Sequence, residues 1–238
     1  MLLNDGELII FLGDSLTEHP VAVSEAMETQ SDDLPLVGSL ARVDRYESRG
    51  WTALLMAQLC ITYPRWRLRA INGGLGGDTS RTMLARLDDV VRHHPDWVLL
   101  SAGVVDVRRT FQLDRASEAV PLEEYRANMA TMVRRAQEGG SRVVLLEPTP
   151  HVRPPAGTSA EVWVEDVNAL TREYAGAVAA VARETGAYFV PLFEEFLDIQ
   201  AAGQVREPAF TLYADDVHLN LPGDLLYMRQ VYAFLEAH

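Results

Sequence analysis

Lysine is absent from this sequence: all 21 basic residues are arginine. That excludes a Schiff-base lysine, a P-loop lysine and a lysine general base. Cysteine occurs once, at Cys60, so no internal disulfide can form and no thiolate cage can hold a metal. Positive charge is scarce as well, with 21 basic against 34 acidic residues and a formal net charge of −13. A chain this acidic repels phosphate backbones and anionic lipid at a distance, so neither nucleic acid nor a membrane is expected as a partner. No apolar run approaches the roughly 20 residues needed to span a bilayer. The opening Met1-Leu2-Leu3-Asn4-Asp5-Gly6 lacks the basic start and apolar stretch of a secretory signal, and the expected location is cytoplasmic.

What is present suits a sizeable core. The 238 residues are 48% hydrophobic and 23% charged, without repeats, low-complexity tracts or a Pro/Gly-rich linker, so a single domain over 1–238 is expected. Five short runs rich in β-branched and aromatic residues lie at 7–12, 67–72, 96–101, 142–147 and 187–192. Most are nearly continuous in apolar residues, the pattern of strands buried on both faces of a parallel sheet. Helix-period segments separate them at 51–62, 79–94, 122–138 and 161–185, and a closing helix is predicted at 221–237. This alternation predicts an α/β protein of three layers, α/β/α, around a doubly wound five-stranded parallel sheet. Two stretches fit the scheme poorly. Residues 19–49 form a long acidic connection that reads as a surface excursion, a lid or an insertion, and 152–159 carries Pro154, Pro155 and Gly157.

In an open parallel sheet ligands bind beyond the carboxyl ends of the strands, so the residues just after each strand matter most. After the first comes Gly13-Asp14-Ser15, where Ser15 is either a helix cap or a nucleophile exposed at a strand-to-helix turn. After the second comes Gly73-Gly74-Leu75-Gly76-Gly77-Asp78, whose N–H groups can bind an oxyanion but which lacks the lysine of a phosphate loop. After the third comes Gly103-Val104-Val105-Asp106, and after the fourth His151. Before the last helix lies Asp215-Asp216-Val217-His218. His218 is the leading base among six histidines, with Asp215, or else Asp216, placed to hold its ring. His93 and His94 suit a helix C-terminus, and the absence of His-Glu-x-x-His argues against a zinc site. Of the tryptophans, Trp51, Trp66, Trp97 and Trp163, three fall in apolar patterns that predict core packing.

Gly13-Asp14-Ser15-Leu16, the Gly-Gly-Asp ending at Asp78, and Asp215-Asp216-Val217-His218-Leu219-Asn220 together resemble the SGNH (GDSL) hydrolases, over almost the whole chain. Pro95-Asp96-Trp97-Val98, Asp106-Val107 with Arg109, and residues 120–125 are similar to its carbohydrate acetyl esterases. The resemblance implies that Ser15 is the nucleophile, His218 the general base and Asp215 the residue orienting it. It implies an oxyanion hole from the N–H groups of Ser15 and Gly77, no metal or organic cofactor, a small-molecule ester substrate, and homo-oligomers of the kind common in that branch. Asp14, Arg108, Arg109 and His151 are expected near the substrate. One departure stands out. The family's third block, Gly-x-Asn-Asp, here reads Gly103-Val104-Val105-Asp106, so Val105 takes the place of an asparagine donor. Losing one such donor costs about 10²–10³ in kcat. Three outcomes stay open on the sequence: an esterase slower than its relatives or served by Arg108 or Arg109 instead, an acyltransferase, or a ligand-binding homologue without catalysis.

Overall fold

A computed structural model of the chain describes residues 1–18, 50–153, 157–158 and 163–238. The connection 19–49 and half of 152–159 lie outside them, and with the former goes the lid or insertion expected there.

Five strands, β1 (Leu8–Gly13), β2 (Arg69–Gly74), β3 (Trp97–Ser101), β4 (Arg142–Leu146) and β5 (Tyr188–Val190), form one sheet. Every pairing is parallel, in the order β2-β1-β3-β4-β5. The apolar runs follow from burial on both faces. Ile9, Phe11, Trp97, Leu99, Val144 and Leu146 point into one core layer, and Leu8, Ile10, Leu12, Val98, Leu100, Val143 and Leu145 into the other. Helices α2 (Trp51–Thr62), α8 (Phe193–Arg206) and α9 (Leu221–Ala237) close the first layer. Helices α3 (Ser80–Ala85), α4 (Leu87–Val91), α5 (Val104–Phe111), α6 (Leu122–Glu138) and α7 (Val164–Thr185) close the second. The predicted three-layer α/β/α architecture is the one observed.

The chain leaves β1 for β2 on one side and then crosses to β3 on the other, so β1 and β3 flank the point where the winding reverses. Crevices in doubly wound sheets open there. Gly13 is in register with Gly74, and Leu12 with Leu100, so the turns after β1, β2 and β3 emerge at one level.

Three elements differ from the pattern-based expectation. The helix predicted at 79–94 is two, α3 and α4, broken at Arg86 (φ −105°, ψ 11°). There the Arg86 guanidinium turns inward to Asp78 (2.5 Å) and to the Gly13 carbonyl (3.2 Å). Helices α5 and α8 had no clear signal, because α5 packs valines beside two arginines and α8 carries only Phe193 and Phe196 as fully buried residues.

Candidate active site

The turn after β1 makes a very short helix, α1 (Ser15–Glu18). Its cap is Asp14, not Ser15: the Asp14 carboxylate accepts the Leu16 N–H at 2.9 Å, and its carbonyl accepts those of Thr17 (3.1 Å) and Glu18 (2.9 Å). The capping alternative for Ser15 is thereby removed, and its hydroxyl is left to the site. Asn72 at the end of β2 holds α1 down, donating from Nδ2 to the Thr17 carbonyl at 2.8 Å. Gly74 makes that approach possible, since a Cβ there would lie 2.1 Å from the Glu18 nitrogen.

His218 Nε2 lies 2.9 Å from Ser15 Oγ, and His218 Nδ1 lies 2.6 Å from Asp215 Oδ2. With Nδ1 donating to the carboxylate, Nε2 is left as the acceptor of the serine proton. Three-residue spacing suits this because the segment is a tight loop. Tyr213 bridges Leu219, the Ala214 N–H donates to the His218 carbonyl at 2.7 Å, and Asp215 Oδ1 accepts the N–H groups of Val217 (2.9 Å) and His218 (2.7 Å). Burial pushes the Asp215 carboxyl up, but those two N–H groups and the His218 ring outweigh it and hold it at about 2. It is therefore an anion at any pH where a histidine is neutral.

Asp216, the other orienting candidate, is committed elsewhere. Its carboxylate pairs with Arg108 of α5 at 3.0 Å, and its carbonyl accepts the Val152 N–H at 3.1 Å. Helix α5 and the segment after β4 thus grip the loop from two sides. Arg108, expected near the substrate, turns Nη1 to Asp216. His151 is 1% exposed, its backbone is held in both directions by the Asn168 amide, and both ring nitrogens are buried without a hydrogen-bond partner among the described residues. Burial, with Arg108 nearby, depresses its pKa to about 3, so the ring is neutral.

The glycine run supplies the remaining wall. Asp78 N–H donates to the Leu75 carbonyl at 3.1 Å, closing a turn with Gly76 and Gly77 at its centre. Gly77 has φ +81°, which a type II turn requires at its third residue and which favours glycine. The turn lies against Ser15, since a Cβ on Gly76 would stand 3.9 Å from the Ser15 Cβ. Beyond it, Thr79 caps α3, and the Ser80 N–H and hydroxyl donate to Asp106 at 3.0 and 2.6 Å, locking the second block to the third. Burial raises Asp106 to about 6, with the Ser80 donors opposing, and raises Asp14 to about 7, with the Leu16 N–H opposing and the neighbouring Asp106 adding to the rise. Val105 is buried in the first turn of α5, and Gly103 precedes that helix at φ +123°. Asn72, Ser80 and Arg86 were missed by sequence reasoning; an asparagine ending a strand before two glycines was the one available signal.

No group of three or more His, Cys, Asp or Glu side chains among the described residues can hold a metal ion, and no described helix is long and apolar enough to cross a membrane. Trp51 and Trp97 are core residues and Trp66 stacks on Tyr63 with ring centroids 4.0 Å apart. Trp163, at the start of α7, is 65% exposed.

A profile of the GDSL-like lipase/acylhydrolase family matches residues 11–225, from inside β1 to the first turns of α9. The chain belongs to that family. It is 28% identical over 241 residues to an acetylxylan esterase of Geobacillus stearothermophilus, covering 96% of this chain and 94% of the relative. A crystal structure of an acetylxylan esterase from that organism superposes with a TM-score of 0.77 at 25% identity, over 99% of this chain and 96% of the other. An α/β-hydrolase enzyme from the metagenome of Lake Arreo, Spain, superposes with a TM-score of 0.76 at 25% identity, over 99% and 98% of the two chains. The acetylxylan esterases it matches are SGNH carboxylic ester hydrolases, and the sheet described above is their fold.

Proposed function

We propose that this family member hydrolyses short acyl, acetyl-type esters of a carbohydrate or another small polar molecule through an acyl-enzyme on Ser15. The observation that carries the reading is the continuous relay Asp215–His218–Ser15, at 2.6 and 2.9 Å, set beside the Gly76–Gly77 turn. Nucleophile, base, orienting anion and an N–H-bearing turn converge there, as acyl transfer demands.

His218 Nε2 takes the hydroxyl proton as Ser15 Oγ attacks the ester carbonyl carbon. Asp215, held as an anion, stabilises the imidazolium that forms. The carbonyl oxygen, now an alkoxide, is met by the N–H groups of Ser15 and Gly77. The imidazolium returns its proton to the leaving alcohol as the ester C–O bond breaks. Water then attacks the acyl-serine, giving its proton to His218, and the acid departs as Ser15 is reprotonated. Every group required is a side chain or backbone N–H of this chain.

Two considerations support the substrate class. Two relatives that cover nearly the whole chain, one by sequence and one by structure, are acetylxylan esterases. Trp163, exposed at the start of the helix that follows the β4 end of the sheet, offers an aromatic face for a sugar ring. With Val105 in the third block there is one fewer side-chain donor than the family pattern provides, so the expected kcat is lower than that of an asparagine-bearing relative.

The test is initial-rate hydrolysis of p-nitrophenyl acetate and of an acetylated xylo-oligosaccharide by the wild type and by Ser15→Ala. Turnover of both esters that vanishes in Ser15→Ala is the expected result. A variant as fast as the wild type removes Ser15 as nucleophile. A wild type inert toward both esters removes simple hydrolysis.

A further inference from the structure

The oxyanion turn has an uncommon neighbour. Arg109 is only 3% exposed, yet its guanidinium is not turned to solvent or to a single carboxylate. Nη1 donates to Gln112 Oε1, Nε lies 3.0 Å from a Glu118 carboxylate oxygen, and Nη2 lies 3.5 Å from the Gly77 carbonyl oxygen. It stands so close to that glycine that a Cβ there would be 3.2 Å from Nη2. Arg109 also follows Val105 by four residues on α5, so the two share a helix face, and helical side chains lean back toward the N-terminus. The arginine therefore runs along the face that carries the valine and ends at the oxyanion turn.

From this geometry we infer that Arg109 is a positioning residue for the oxyanion hole, acting through Gly77. The inference rests on the acyl-enzyme reading above. The turn is pinned on its entry side by the hydrogen bond from Asp78 N–H to the Leu75 carbonyl. A glycine at φ +81° has no side chain to hold it, and its N–H keeps its aim only if the peptide unit that follows is held. That unit carries the Asp78 N–H and the Gly77 carbonyl in one plane. Leu75 holds its N–H end, and Arg109, clamped by Gln112 and Glu118, holds its carbonyl end, which limits rotation about Gly77 and with it the swing of the Gly77 N–H. An aimed donor acts on the transition state and not on the ground-state ester, so the effect belongs in kcat. In a site with valine at position 105, two N–H donors bear the whole oxyanion, and the aim of each matters more.

The experiment compares kcat and KM for p-nitrophenyl acetate in the wild type, Arg109→Met, Arg109→Lys, Val105→Asn and the double variant Val105→Asn/Arg109→Met, with thermal melts of each and Ser15→Ala as baseline. We expect Arg109→Met to lose about 10-fold or more in kcat with KM within about twofold, since one oxyanion donor is typically worth 10²–10³. Val105→Asn is expected to recover a larger factor when added to Arg109→Met than when added to the wild type, because an independent donor relieves a badly aimed one. A purely structural role for Arg109 does not produce that coupling. A folded Arg109→Met with kcat within about twofold of wild type overturns the inference. So does a loss that Val105→Asn leaves unchanged. If Arg109→Met does not fold, Arg109→Lys carries the test: it keeps the charge but not the fork that spans Gln112, Glu118 and Gly77. A fall in its kcat at constant KM supports the inference, and an unchanged kcat overturns it. Failure of this inference with Ser15→Ala inactive leaves the serine reading standing, whereas an active Ser15→Ala overturns both.

Discussion

Replacing Asp216 by alanine separates the two carboxylates of the Asp215–His218 loop by their consequences. Asp216 meets Arg108 at 3.0 Å, with side chains 9% and 16% exposed. At that distance and an effective dielectric constant of about 20 the attraction is about 5 kcal/mol before desolvation is counted. Removing one partner leaves the other charge buried and uncompensated, a loss of about 3–5 kcal/mol in well-buried pairs. Partial exposure of Arg108 lets water recover some of this, so about 2–3 kcal/mol is expected. In a chain of this size that lowers Tm by about 4–12 °C. The bonds from Asp215 to His218 stay in place, so kcat falls only severalfold, through a loosened loop. Asp215→Ala is the contrast: its carboxylate orients the base directly, and about 10³–10⁴ in kcat is lost. Removing both charges, in Arg108→Met/Asp216→Ala, returns most of the stability. Melting curves and p-nitrophenyl acetate kinetics on the four proteins measure all of this. An Asp216→Ala variant that melts within about 1 °C of wild type refutes the buried-pair argument. A kcat loss equal to that of Asp215→Ala shows that Asp216 holds the histidine.

The buried carboxyl of Asp14 makes stability depend on pH in a stated direction. Native Asp14 keeps its proton to about pH 7, whereas an unperturbed aspartate releases it near 3.8. Between those values the native state binds more protons, so this group's contribution falls as pH rises from about 4 to about 7. Asp14→Asn keeps the capping oxygen and abolishes the titration. Its Tm relative to wild type should thus be more favourable at pH 7.5 than at pH 5, and equal differences at both values discard the assignment. His151 acts oppositely, since its pKa is lowered from 6.5 to about 3, and its contribution is lost as pH falls through that interval. His151→Phe should flatten the acid limb of a Tm–pH curve, and an unchanged limb counts against it. Trp163→Ala should raise KM for an acetylated xylo-oligosaccharide about fivefold, the equivalent of ~1 kcal/mol of lost ring contact. It should leave p-nitrophenyl acetate turnover and Tm alone, and unchanged KM values for both esters exclude a sugar platform at Trp163.

Much of the architecture is written locally. A strand buried on both faces must be apolar at nearly every position, which is why β1, β3 and β4 stand out as runs. Helices α2, α6 and α9 begin and end where the periodicity puts them, because each buries apolar residues against the core and is preceded by a turn residue, Gly50, Pro121 and Asn220. The bonds from Asp215 to His218 are equally local, spanning three residues. The types and order of the relay residues could therefore be read along the chain.

The rest depended on partners far apart in sequence. Whether Ser15 caps a helix or faces a base turns on His218, which lies 203 residues away. Which aspartate holds the histidine turns on Arg108 reaching Asp216 from another helix, and the helix expected to run through Arg86 breaks where that side chain turns in to Asp78. Arg109 could be named from the sequence as a neighbour of the substrate, but its contact with the Gly77 carbonyl could not, since only the fold brings α5 beside the glycine turn that follows β2. Local pattern determines which segments are strands and helices because their energetics lie in neighbouring residues. Only the tertiary structure decides which charged groups are neutralised by one another and which are left to do chemistry, because that depends on long-range pairing across a low-dielectric interior.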